Sequence, residues 1–193
     1  MYWQVYLHKT VLSAENLLVN ILKRAKELAA KGEDLFATPA LKLFLQNDFD
    51  HEDFRRDPKL LERFSTLDDN DVIASVKVWA EAGDPILLRL CRNLLDRKLY
   101  KVELQSTPVP LERRRELRQR VMKSYGITAR EAAYFVFAGK VNNSAYNANR
   151  FNIHILMNNG RLIDVAQASD QLNIQSLSKT VTKHFICYPK ELV

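Results

Sequence analysis

The chain has 193 residues, 47% of them hydrophobic and 27% charged, with a formal net charge of +6. This is the balance of a globular protein long enough for one large domain, or for a helical domain with a smaller second one. No apolar run reaches the roughly 18 residues of a membrane span, and five glycines leave little material for a phosphate-cradling loop.

The first 31 residues contain neither Gly nor Pro and read as one helix running to Gly32. Leu7, Val11, Ala14, Leu18, Ile21, Ala25 and Leu28 follow one another in 4-3 spacing, which places them on one seam. At about 1.5 Å per residue such a helix is roughly 45 Å long. No Ser, Thr, Asp or Asn stands before the periodic part, and MYWQVY occupies the place of a cap. The expectation is therefore a helix entered in its middle, as in a piece of a larger element. Tyr, Gln, His and Lys break up the first ten residues, which do not read as a signal peptide. Cys91 and Cys187 lie in apolar contexts and read as buried, reduced thiols, so the expected location is the cytoplasm.

Beyond Gly32, Thr38-Pro39 caps a short helix ending near Asn47. Asp48, Asp50, His51, Glu52 and Asp53 are the densest group of metal-ligating residue types, but no second His-rich segment completes a site. They read as a solvated acidic loop. Caps at residues 65–69 precede a helix through Trp79, and Asp84-Pro85 starts another, with Leu87, Leu90, Cys91, Leu94 and Leu95 as its core stripe. Residues 1–100 thus form a helical region.

The pattern changes at Lys101, and residues 101–193 read as a separate α+β lobe. YKVELQ alternates as a strand, and PLERRRELRQRVMKSYG is an Arg-rich helix. AAYFVFAGKV, FNIHILM and RLIDVAQ read as strands, the last two joined by a turn at Asn158-Asn159-Gly160. DQLNIQSLSK reads as a short helix and KHFICYP as a closing strand. The fold class expected is mostly α, a helical array led by one long N-terminal helix, followed by a small antiparallel sheet with two helices.

The excess of positive charge suits an anionic partner such as a nucleotide, a nucleic acid or an acidic surface, without choosing among them. The helix at 111–123 is the most basic segment, but Glu112 and Glu116 interleave with its arginines. At the start of the first helix, Tyr2, Tyr6, Lys9 and Ser13 share a flank, with His8 beside them. An aromatic ring for stacking with a Lys and a His for phosphate makes a nucleotide-binding set; an edge-of-core tyrosine beside a surface lysine explains the same residues. No nucleotide loop, HExxH, CxxC or nucleophile elbow is present.

YWQVYLHKTVLSAENLL, with the Y-x-H-K of Tyr6 to Lys9, resembles the helix that follows the catalytic core in HD-domain phosphohydrolases of the dNTP triphosphohydrolase group. DRKLYK at Asp96 to Lys101 is similar to that group's helix end, and the following α+β lobe fits its layout. The resemblance implies that Tyr6 lines the substrate nucleotide pocket and that His8 and Lys9 reach the phosphates of an activating nucleotide at a subunit interface. It implies a homo-oligomer, a dNTP or GTP as partner, and no membrane. The group's metal site is an H…HD…D set, and no His-Asp dipeptide occurs here. The implied divalent metal and its ligands therefore belong upstream in a full-length parent, with no metal, cofactor or catalytic residue in this chain, which is expected to be inactive alone. The other reading of the residues is a stand-alone nucleic-acid, protein-interaction or oligomerisation module.

Overall fold

Capping residues set most of the helix starts. In the computed structural model, which describes residues 7–81, 83–142, 154–164 and 181–192, α1 (Lys9–Ala30) begins after His8, whose ring nitrogen accepts from the Thr10 amide at 3.3 Å. The expectation of an uncapped helix entered in its middle is corrected, because His8 is extended and does the capping. At the other end Gly32, at φ 90°, lets the Glu33 amide turn back to the Leu28 carbonyl.

α2 (Pro39–Gln46), α5 (Asp69–Trp79) and α6 (Pro85–Leu95) lie where their Pro and Asp signals put them. The acidic stretch after Asn47 is not a loop. Asp50 and Asp53 bond reciprocally to each other's amides, a capping box that starts α3 (His51–Arg56), and Asp57 caps α4 (Pro58–Ser65). The rings of Phe44, Phe49, Phe54 and Phe64 then cluster, Phe44 stacked on Phe54 and the other pairs edge-to-face, and hold these short helices to α2.

α7 (Leu111–Tyr125) ends on Gly126 in the left-handed region. The expected strand at 132–141 starts late, because Thr128 and Glu131 form a capping box for α8 (Ala129–Ala132). β2 (Phe137–Asn142) follows. The three-stranded sheet is antiparallel, in the order β1 (Lys101–Gln105), β5 (Thr182–Tyr188), β2, so the last strand lies between the two earlier ones. β3 (His154–Leu156) and β4 (Leu162–Asp164) form a hairpin around Gly160 at φ 79°. The expected helix at 170–179 lies outside the described residues. The mostly helical class with a small antiparallel sheet holds.

α1 is the centre of the packing, against α2, α6 and β1. Its buried face differs from the expected seam: Val11 is 43% exposed, while Leu12, Ser13, Leu17, Asn20, Ile21, Arg24, Ala25 and Leu28 are buried. Three of these are polar, and each has a distant partner. Ser13 Oγ accepts from the Tyr100 amide at 2.7 Å, Asn20 donates to the Tyr134 carbonyl at 3.1 Å, and Arg24 grips Asp84 at 2.6 and 3.1 Å. These bonds tie α1 to the start of β1, the segment after α8 and the cap of α6. One contiguous core joins α1 and α6 to the sheet residues Val102, Phe185, Ile186 and Cys187. No helix among the described residues is long and apolar enough to cross a membrane.

Candidate functional site: a basic cleft at the head of α1

A cleft of about 770 Å³ opens where the first turns of α1 meet the end of α6, β1 and the segment after β5. That volume lies in the range of roughly 300–1,000 Å³ usual for small-molecule sites. Its inner wall is apolar and partly or fully buried: Ala14, Leu94, Leu99, Tyr100 and Val102. Its rim is exposed and cationic: Lys9, Arg97, Lys101 and Lys190, with Thr10 beside them. Among the described residues no carboxylate lines it. Four cations around an apolar wall suit a ligand with an anionic tail and a flat body.

Two backbone features place this rim. The His8 cap starts α1 so that Lys9 occupies its first position. Arg97 follows the end of α6 at φ 56°, a conformation that an L side chain adopts at a cost of about 1 kcal/mol or more. Glycine is the usual residue at such a helix end. Tyr100, behind the rim, is 4% exposed, and its ring oxygen accepts from Asn93 at 3.3 Å. Burial raises its hydroxyl pKa, so the group stays neutral at the cleft wall.

Of the residues singled out in the sequence, Lys9 stands in the cleft. His8 is exposed and its ring serves the helix cap, and Tyr6 lies outside the described residues. Arg97, Lys101 and Lys190 did not emerge as site residues from the sequence. The spacing of Arg97 and Lys101 in DRKLYK was the available signal for two of them, but only the fold brings them to Lys9.

Other chemistry is limited. Burial pushes both thiols, Cys91 and Cys187, up to about 12, which leaves neither as a nucleophile. Among the described residues no group of three or more His, Cys, Asp or Glu could hold a metal ion. In the acidic stretch Asp50 and Asp53 cap α3, and Asp48 pairs with Lys26 at 2.7 Å. These residues do not fit a divalent metal, and no reaction step can be derived through one here.

No protein-family model matches the chain. It is 29% identical over 201 residues to YwfO, an uncharacterized protein of Bacillus subtilis strain 168, in an alignment that takes in 100% of this chain and 43% of that protein. It is 43% identical to a phosphohydrolase of Bacteroides thetaiotaomicron VPI-5482 whose crystal structure matches it with a TM-score of 0.83. That match covers 98% of this chain and 47% of the other. The chain spans less than half of each.

Proposed function

We propose that this chain is a region of an HD-type, metal-dependent phosphohydrolase of the dNTP triphosphohydrolase-like group, and that its own part is to bind nucleotide and build subunit contacts. The likeness to the Bacteroides phosphohydrolase, at 43% identity over nearly the whole chain, supports the phosphohydrolase reading. The observation that carries the local role is the cleft, where Lys9 meets Arg97, Lys101 and Lys190 with no carboxylate among the lining residues. In this reading the four cations take the phosphates of an activating dNTP or GTP, and the apolar wall at Leu99 and Tyr100 takes its base. Arg97 supplies a planar fork for two phosphate oxygens; the lysines act as point charges.

His8 sets where Lys9 stands, and the proposal extends to its imidazole as a second phosphate contact once a ligand displaces the bond to Thr10. Tyr6, two residues earlier, is proposed as the substrate contact. The half-buried and exposed apolar side of α1, with Val11 43% and Val19 41% exposed, is offered to another subunit in a homo-oligomer. The metal and the groups that attack the phosphate ester belong to the parent outside this chain.

Two measurements test this. Calorimetric titration with dGTP and GTP should give saturable binding that weakens by about 30-fold or more in Lys9→Glu/Lys101→Glu, as expected when two charge-assisted contacts become repulsive. The same chain with Mg²⁺ or Mn²⁺ and a dNTP mixture should release no triphosphate or phosphate. Binding unchanged by the two reversals would sink the cleft assignment; turnover would place a metal site within this chain.

A further inference from the structure

The two sides of α7 treat their arginines differently. On one side Arg113 and Arg120 both hold Glu116, at 3.1 and 2.7 Å, and Arg113 lies 3.8 Å from Glu103 on β1. Arg120 also donates to the Leu192 carbonyl at 3.1 Å. On the other side Arg114, Arg115 and Arg118 have no carboxylate partner among the described residues. Arg118 is held in place by a bond from its Nε to the Val136 carbonyl at 3.2 Å. Burial, with the like charge of Arg114 one turn back, lowers the pKa of Arg118.

The sheet beneath extends this charge. Arg113 lies against the Tyr188 ring and near Glu103, so the sheet face toward α7 is the one that carries these two residues. Alternation along β5 puts Ile186 and His184 on the same face. The register pairs His184 with Lys140 of β2 and with Gln105 of β1. Lys140 is exposed and His184 half-buried. Glu103, the acidic residue of this face, is engaged by the Tyr188 hydroxyl and by Arg113.

We propose that Arg114, Arg115 and Arg118, continued by Lys140 and His184, form a docking surface for the phosphodiester backbone of a nucleic-acid strand. Guanidinium forks grip phosphate oxygens in pairs, and a row of cations without carboxylates matches a row of phosphates. The surface is proposed on charge alone, so the expected contact is to the backbone and not to the bases. None of these five residues lines the cleft, although the cleft residue Lys101 lies on the same sheet face, over the Tyr188 ring, and the surface stands or falls independently of the nucleotide reading.

The test is fluorescence anisotropy of a labelled single strand of about 30 nucleotides, titrated with the full chain between about 50 and 200 mM salt. Arg114→Glu/Arg115→Glu is compared with Arg55→Glu/Arg56→Glu, which changes net charge equally on exposed α3 residues whose ion pairs are confined to Glu52 of their own helix. The α7 variant should bind at least tenfold more weakly, and its log-affinity against log-salt slope should flatten by about 1.4, or 0.7 per lost phosphate contact on a single strand. The α3 variant and the cleft variant Lys9→Glu should bind within about threefold of the parent. Arg114→Gln/Arg115→Gln, with circular dichroism, replaces the reversal if that variant does not fold. No binding up to about 100 µM at low salt, equal weakening by the α3 and α7 variants, or abolition by the cleft variant would each overturn the proposal.

Discussion

The two ends of α1 use charge in opposite ways. Toward its C-terminal end, Arg24, Glu27 and their partners form a closed network. Glu27 takes Arg24 at 3.2 Å, Lys31 at 3.1 Å, Arg130 at 2.8 Å and the Tyr134 hydroxyl at 2.5 Å, while Arg24 also holds Asp84. At its head Lys9, Arg97, Lys101 and Lys190 converge on a cleft lined by no acid among the described residues. Within the network each charge has a partner and the chain gains connections between elements far apart in sequence. In the cleft four cations share one rim, and Arg97 adds a left-handed backbone. In the reading proposed above, an anion is the partner that this rim takes.

The comparison breaks most visibly at Asp84. Burial alone would raise its carboxyl pKa, but Arg24 and the Leu87 and Ile86 amides outweigh that and hold it below the usual carboxylate range. Asp84→Ala should cost about 3–5 kcal/mol in urea denaturation, since it leaves Arg24 buried without its main partner and strips the cap of α6. An effect below about 1 kcal/mol would show the network to be incidental.

Glu27 gives a pH signature. The Tyr134 hydroxyl first, then Lys31, Arg130 and Arg24, pull its pKa from 4.5 down to about 2 against the effect of burial. Its folded value is below its unfolded one, so its contribution is complete above pH 4.5 and is lost as pH falls from there toward 2. Glu27→Gln should lower stability at neutral pH by about 2 kcal/mol and flatten that part of the acid limb. A variant whose acid limb keeps the parent's steepness between those values would contradict the assignment.

These partnerships explain what the sequence leaves unreadable. Ser13, Asn20 and Arg24 bond to residues 87, 114 and 60 positions away, and no local pattern announces such bonds. A purely apolar template therefore chose Val11 and Leu18 over them. α3 was hidden because Asp50 and Asp53 read as part of a solvated acidic loop, although an acid three residues after an acid also makes a cap. Where periodicity and Gly or Pro punctuation agree, as in α6, α7 and the β3–β4 turn, sequence and structure coincide. The cleft was legible at one residue in four: Lys9 from its motif, the others only once α6, β1 and the end of β5 are brought together.

Arg97 sharpens the contrast with the smallest effect and opposite signs. Arg97→Gly removes the cost of a left-handed side-chain residue and should raise stability by roughly 0.5–1 kcal/mol. It should also weaken dGTP binding by about fivefold or more, through loss of a charge-assisted fork. Loss of both stability and binding would mean that Arg97 is a structural residue.

The most direct measurement is a two-dimensional amide NMR titration of the chain with dGTP. The account predicts saturable shifts at Lys9, Thr10, Arg97, Lys101 and Lys190, with Arg24, Glu27 and Asp84 unmoved. Shifts centred on the Arg24 network, or none at the head of α1 at millimolar dGTP, would contradict it.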